Sequence, residues 1–295
     1  MSDSAIVDIE IRACRGQDEL SQLDAVEAVQ LPGGSRPDFT VVTVTTADGH
    51  TGTSFGFGAL DAVAAAHTMK QVKPFFMGRD VFHSQKNLKD FEMFDRKWNL
   101  VPVYSYGPFD NACWDAVGKT VGQPVYKVLG AAKTQIPLYV SSMFLPGPDE
   151  YVAQALEVKQ RGFKGYKLHP PGDPALDIAC YRAVRDAVGD EFTLMADPVI
   201  SYTYEQALMV GRELEKLGYR WLEEPLLDVN FNGLRKLREK LDIPICGTEV
   251  LAGGHYSTAH YIHEGIADIV RTDVSWRDGI TSELKTAHTA EPYGM

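Results

Sequence analysis

One pattern in the second half of the chain narrows its possible folds more than any other. Six short apolar segments, IPLYVSS (136–142), GYKLH (165–169), TLMADP (193–198), YRWLEEP (219–225), IPICGTE (243–249) and DIVRTDV (268–274), recur at a nearly even pitch. Amphipathic stretches at 151–161, 178–188, 204–217 and 231–240 separate them. Parallel strands cannot be joined by tight turns and need a crossover, so this alternation predicts an α/β fold in which helices wrap a parallel sheet. Six units of such regular pitch point to a barrel rather than an open sheet.

In a parallel barrel the carboxyl ends of all strands open on one face, and polar residues that recur there meet in one mouth. Lys167 and His169 end the second strand, Asp197 the third, Glu223 the fourth, Glu249 the fifth and Asp273 the sixth. From Lys167 the steps are 30, 26, 26 and 24 residues, each close to one β/α unit. Asp197, Glu223 and Glu249 then lie on adjacent strands, where three carboxylates repel unless a cation neutralises them. Ligands that offer oxygen alone favour magnesium over zinc or copper. A single carboxylate after a strand is often the N-cap of the next helix, but three in succession, preceded by Lys-x-His, favour a shared cation. Glu224 is expected to point the other way, as a salt-bridge or surface residue. Of the remaining histidines, His260, His263 and His288 read as solvent-facing or structural, whereas His50 and His255 have positions that border a pocket.

The first region, about residues 5–130, is built differently. Ile9 and Ile11 alternate with charged residues as in a strand, and FTVVTVTTADGHTGTSFG (39–56) reads as a hairpin about Asp48-Gly49. Helical periodicity follows at 60–70, 86–97 and 107–129. Segment 15–38 is long, polar and broken by Pro-Gly-Gly, as expected of a disordered loop or of a lid over a site. A net charge of −11 with scattered lysines and arginines offers no stripe for a phosphate backbone, which argues against nucleic acid as a partner. No apolar run reaches membrane-spanning length. The four cysteines form no CxxC pair and no zinc spacing, so reduced thiols in a cytoplasmic protein are expected.

Taken in order, YGPFDNACWDAVGKTVGQPVYKVLGA, GYKLH, LMADP, WLEEPL, CGTEVLAGG and IVRTDVSWRDGIT resemble the mandelate racemase subgroup of the enolase superfamily along nearly the whole chain. The resemblance implies an α+β capping domain over residues 1–130, with a substrate lid near 15–38, and a (β/α)7β barrel domain over 131–295. It implies magnesium held by Asp197, Glu223 and Glu249, with Lys167-Leu168-His169 as the base motif. Asp273 matches the aspartate that orients a histidine on the seventh strand, and Ser141, His50 and Trp276 are candidate substrate contacts. The implied reaction removes the proton α to a carboxylate, with the metal stabilising the charge that develops. Dehydration of a sugar acid, an aldonate or aldarate, to a 2-keto-3-deoxy acid is the expected outcome. A racemase or epimerase of a 2-hydroxy acid and a catalytically inactive homologue are the alternatives. The expected partners are a small hydroxy-carboxylate substrate and further copies of the chain.

The chain also departs from the subgroup. His169 replaces the second lysine of Lys-x-Lys, so either His169 or Lys167 takes the proton, and Lys167 is expected to have a lowered pKa beside a divalent cation. Val199 stands where the family often has Asn. Trp276 replaces the sixth-strand lysine of the muconate-cycloisomerase type, which argues against cycloisomerase or dipeptide epimerase chemistry. The chain ends at Met295, before the place of a seventh strand. An incomplete, inactive copy lacking the last two barrel strands is therefore expected.

Overall fold

In the computed structural model, which describes residues 2–15, 38–57, 62–101 and 105–295, two sheets organise the chain. The expected lid at 15–38 lies almost wholly outside the described residues. The first sheet is antiparallel, in the order β1 (Ile6–Arg15), β2 (Asp38–Thr46), β3 (Thr51–Phe57). Gly49 makes the hairpin turn at φ +87°, a conformation open to glycine. Helices α1 (Ala62–Phe76), α2 (Ser84–Phe94) and α3 (Gly107–Thr120) cover this sheet. Ile6, Ile9, Val42 and Val44 pack there with Phe76, Phe91 and Phe109, and the rings of Phe76 and Phe109 stack at 4.6 Å. The helix expected over 107–129 breaks in two. Gly122 turns left-handed at φ +63° and Pro124 precedes a separate short helix, α4 (Val125–Val128).

The second sheet has six strands in chain order, all paired in parallel: β4 (Val140–Phe144), β5 (Gly165–His169), β6 (Thr193–Ala196), β7 (Leu222–Glu223), β8 (Ile245–Gly247) and β9 (Ile269–Val270). Between them run α5 (Pro148–Gln160), α6 (Pro174–Val188), α7 (Tyr204–Lys216), α8 (Phe231–Lys240) and α9 (Gly254–His263), with α10 (Gly279–Ala290) after β9. Tyr166, Leu168, Leu194, Ala196, Leu222 and Ile245 face the helices and pack on Tyr181, Val184, Leu214 and Leu237. Side chains alternate across a strand, so Lys167, Met195, Glu223 and Cys246 occupy the opposite face. Among the described residues β4 and β9 are the edges of this sheet and do not pair with each other.

Helix α3 docks against the segment that follows β9. Asp110 accepts hydrogen bonds from the Thr281 backbone N–H at 2.8 Å and from its hydroxyl at 2.7 Å. Asn111 binds the Val274 carbonyl and the Ile280 N–H, and the Trp114 indole donates to the Thr281 hydroxyl. The approach is close enough that a Cβ on Gly107 would lie 2.4 Å from the carbonyl oxygen of Arg277. The first region thereby fixes the loop that borders the mouth of the second sheet.

Candidate active site

The helix caps and the strand-end carboxylates are different residues. Asp173 caps α6, Thr203 caps α7 in a reciprocal pair with Gln206, and Asn230 caps α8. That leaves Asp197, Glu223 and Glu249 free to converge, and one oxygen from each lies within 4.8 Å of the others. Asp197 follows β6, where its N–H donates to the Leu168 carbonyl at 2.8 Å; Glu223 ends β7; and Glu249 follows β8 by two residues.

Two cations are interleaved with the three carboxylates. The Lys167 ammonium donates to Asp197 Oδ2 at 2.5 Å and to Glu223 Oε1 at 3.0 Å. The Arg271 guanidinium donates to Glu223 Oε1 at 2.6 Å and to Glu249 Oε2. The Trp221 indole completes the shell of Glu223 at 3.0 Å. His169 Nε2 lies 2.9 Å from Asp197 Oδ2, and its Nδ1 lies 2.5 Å from the Ser142 carbonyl. Burial resists ionisation of Asp197, but hydrogen bonds and charge from His169 and Lys167 outweigh it and hold the carboxyl well below its usual range. Burial raises the Glu249 pKa, against the opposing charge of Arg271.

Burial alone would lower the Lys167 pKa, but the Asp197 and Glu223 carboxylates overcome that effect and raise it; the lowered value is expected of the lysine beside a divalent cation. One expectation is corrected here. Glu224, expected in a salt bridge or at the surface, is buried and among the described residues makes no salt bridge. It is buried beside a small cavity lined by Leu226, Leu234, Ile245 and Tyr261, which pushes its carboxyl up to about 7, and it accepts the Glu249 N–H at 2.8 Å.

Backbone strain gathers at the same strand ends. Val199 (φ +48°), Ile200 (φ +55°), Glu224 (φ +39°) and Thr248 (φ +81°) all lie in the left-handed region, within three residues of a triad carboxylate. For β-branched residues this is unfavourable, and such strain persists where surrounding structure imposes it, commonly at functional sites. At Val199, the position noted for its missing Asn, the backbone N–H donates to Asp197 Oδ1 at 3.2 Å.

The other candidates fall into two groups. Ser141 pairs in register with Lys167, and its hydroxyl lies 3.5 Å from His169 Nδ1, beside the triad. Asp273 caps its own turn, accepting the Ser275 N–H at 2.7 Å, and among the described residues no histidine is hydrogen-bonded to it. Trp276 is half-buried in the same loop. His50 stays in its hairpin, 3.0 Å from Asp48, and the structure does not bring it to the triad. His255 joins α9 to α10 through Ser282 at 3.0 Å, and burial lowers its pKa. Sequence reasoning missed Arg271, Trp221 and the hold of Glu224 on the Glu249 backbone. Arg271 was within reach of it: an arginine two residues before Asp273 at a strand end is a natural counter-charge for three acids.

An oxygen-only donor set, already arranged around positive charge, fits a hard divalent cation. Residues 150–295 match the enolase C-terminal domain-like family, and residues 27–130 match the N-terminal domain of the mandelate racemase / muconate lactonizing enzyme family. The chain is 30% identical over 285 residues to an arabinonate dehydratase of Saccharolobus solfataricus, a match covering 92% of this chain and 75% of that protein. It is 34% identical over 201 residues to an L-talarate/galactarate dehydratase of Salmonella typhimurium, covering 65% of this chain and about half, 49%, of that protein. Among solved structures, the D-glucarate dehydratase from Agrobacterium tumefaciens complexed with magnesium matches with a TM-score of 0.87 at 32% identity, over 100% of this chain and 80% of that one.

Proposed function

The chain belongs to the mandelate racemase / muconate lactonizing enzyme family of the enolase superfamily, and from that premise we propose that it is a magnesium-dependent lyase that dehydrates a sugar acid. The substrate is an aldonate or aldarate and the product a 2-keto-3-deoxy acid. Residues 1–130 act as the capping unit and 131–295 as the barrel unit. The observation that carries this reading is the convergence of Asp197, Glu223 and Glu249 beside the Lys167 ammonium and the His169 ring. Asp197, Glu223 and Glu249 would hold magnesium, which when bound supplies positive charge that stabilises the substrate carboxylate as the α-proton leaves.

Removing that proton falls to His169. Its side chain is 20% exposed at the mouth, against 2% for Lys167, whose ammonium is already committed to Asp197 and Glu223. The Ser142 carbonyl fixes one ring nitrogen, leaving Nε2 on the side of the carboxylates. Lys167 serves as a fixed positive charge that keeps two acids together. Asp273, by the family resemblance, would orient a histidine that assists departure of the β-hydroxyl. The relatives at 30% and 34% identity are dehydratases, which favours elimination over racemisation of the same substrate class.

Incubation with magnesium and a panel of aldonic and aldaric acids in deuterium oxide tests this. A 2-keto product from at least one acid is expected, and chelation should abolish it. Exchange of the α-proton without a keto product would instead make the protein a racemase. Neither reaction, with magnesium binding unchanged in Glu223→Gln, would mark it as an inactive homologue.

A further inference from the structure

Arg277 lies in the loop between β9 and α10 and is only 1% exposed. A buried guanidinium is costly to desolvate and is retained where its donors are used. Here they are not spent mainly on a carboxylate: Glu283 is 3.6 Å from Nε, and Asp278 acts on the guanidinium only through its charge. Nη1 instead donates to the backbone carbonyl of Thr248 at 2.6 Å, and Nη2 to the Thr258 hydroxyl on α9 at 3.1 Å.

Thr248 is an unusual residue to hold in this way. It is fully buried, β-branched and left-handed at φ +81°, and it directly precedes Glu249. Its hydroxyl donates to the Arg271 carbonyl at 2.9 Å, so the β9 end holds its side chain while Arg277 holds its backbone. The peptide unit whose oxygen Arg277 grips has as its other end the Glu249 N–H, which donates to Glu224 at 2.8 Å. Both edges of one planar peptide are thus fixed, and a planar unit fixed at its carbonyl and its N–H sets the direction of the side chain that follows.

We propose that Arg277 is a positioning residue for Glu249: by gripping the Thr248 carbonyl it maintains the left-handed turn that aims the Glu249 carboxylate at Asp197 and Glu223. The inference rests on the metal reading of those three acids. It also gives the docking of α3 a function, because Gly107 packs directly against the Arg277 backbone.

The test is Mn2+ affinity, measured by electron paramagnetic resonance on the purified protein, with folding followed by circular dichroism. Arg277→Met should weaken Mn2+ binding by about tenfold or more, the usual range for a residue that orients a metal ligand. Thr248→Gly placed in that background should recover most of the loss, because glycine adopts the left-handed turn without being held. A general packing role for Arg277 predicts no such recovery. Wild-type affinity in a folded Arg277→Met protein overturns the proposal, and so does a loss that Thr248→Gly leaves unrelieved. If Arg277→Met does not fold, Arg277→Lys decides, since the lysine side chain is shorter and lacks the planar fork whose two ends reach the Thr248 carbonyl and the Thr258 hydroxyl; wild-type affinity there again overturns it. Glu223→Gln separates the two ideas: if it binds Mn2+ like wild type, the metal reading has failed rather than the role of Arg277.

Discussion

Three acids brought within 4.8 Å need positive charge, and Lys167 and Arg271 supply part of it. Glu223, with no exposure, accepts from both cations through a single oxygen. Removing one partner of a buried pair strands the other charge, at a cost on the order of 3 kcal/mol. Arg271→Met is therefore expected to lower the melting temperature in chelator, and magnesium should restore more of it than magnesium adds to the wild type. An equal magnesium-induced shift in the two proteins would show that Arg271 does not share the burden of neutralisation. The two candidate bases separate by kinetics. His169→Asn should lower α-proton exchange by roughly 10²-fold or more, the range for loss of a general base, while leaving magnesium affinity nearly intact. Lys167→Met should lower the stability of the fold in chelator, because it leaves Asp197 and Glu223 mutually repelling, and should reduce α-proton exchange less than His169→Asn does. Reversal of these two patterns would transfer the base role to Lys167.

At the level of elements, β6, β7 and β8 end where their inward side chains turn from sheet to mouth, and left-handed residues mark each of these three exits. The α3 to α10 junction carries a second electrostatic load. Asp110 is fully buried, receives two hydrogen bonds from Thr281 and among the described residues has no cation against it, so burial pushes its carboxyl up to about 7. A carboxyl whose folded pKa exceeds its unfolded value binds its proton more tightly when folded. Its contribution is full below about pH 4 and is lost as pH rises toward 7, at up to roughly 1.4 kcal/mol per pH unit. Asp110→Asn should flatten the dependence of denaturation midpoint on pH between 4 and 7, and an unchanged slope would remove Asp110 as its source. Sequence reasoning found most of these elements because hydrophobic period and crossover length are local properties. It misjudged the helix expected over 107–129, where a left-handed Gly122 and Pro124 override the apolar pattern. It also put Glu224 in a salt bridge or at the surface, since strand alternation says which way a side chain points and not what covers it.

For the molecule as a whole, magnesium binding should act as a clamp across three adjacent strands. A ligand bound only by the folded state at about a hundred times its Kd adds roughly 2.7 kcal/mol, which thermal melts with and without chelator should detect. Glu223→Gln should abolish that increment; its persistence would place the metal elsewhere. By itself the sequence determined the parallel β/α architecture, the separate hairpin region and the positions of Asp197, Glu223, Glu249, Lys167 and His169. It could do so because strand period and unit pitch fix which residues reach the ends of strands. Only the tertiary structure decided which charges meet there. Arg271 and Lys167 sit between the acids, Glu224 holds the Glu249 backbone from beneath the helix layer, and Arg277 grips Thr248 from another loop. Such contacts depend on how separate strands and loops are brought together and on what water is excluded, and neither is written in any local stretch of residues.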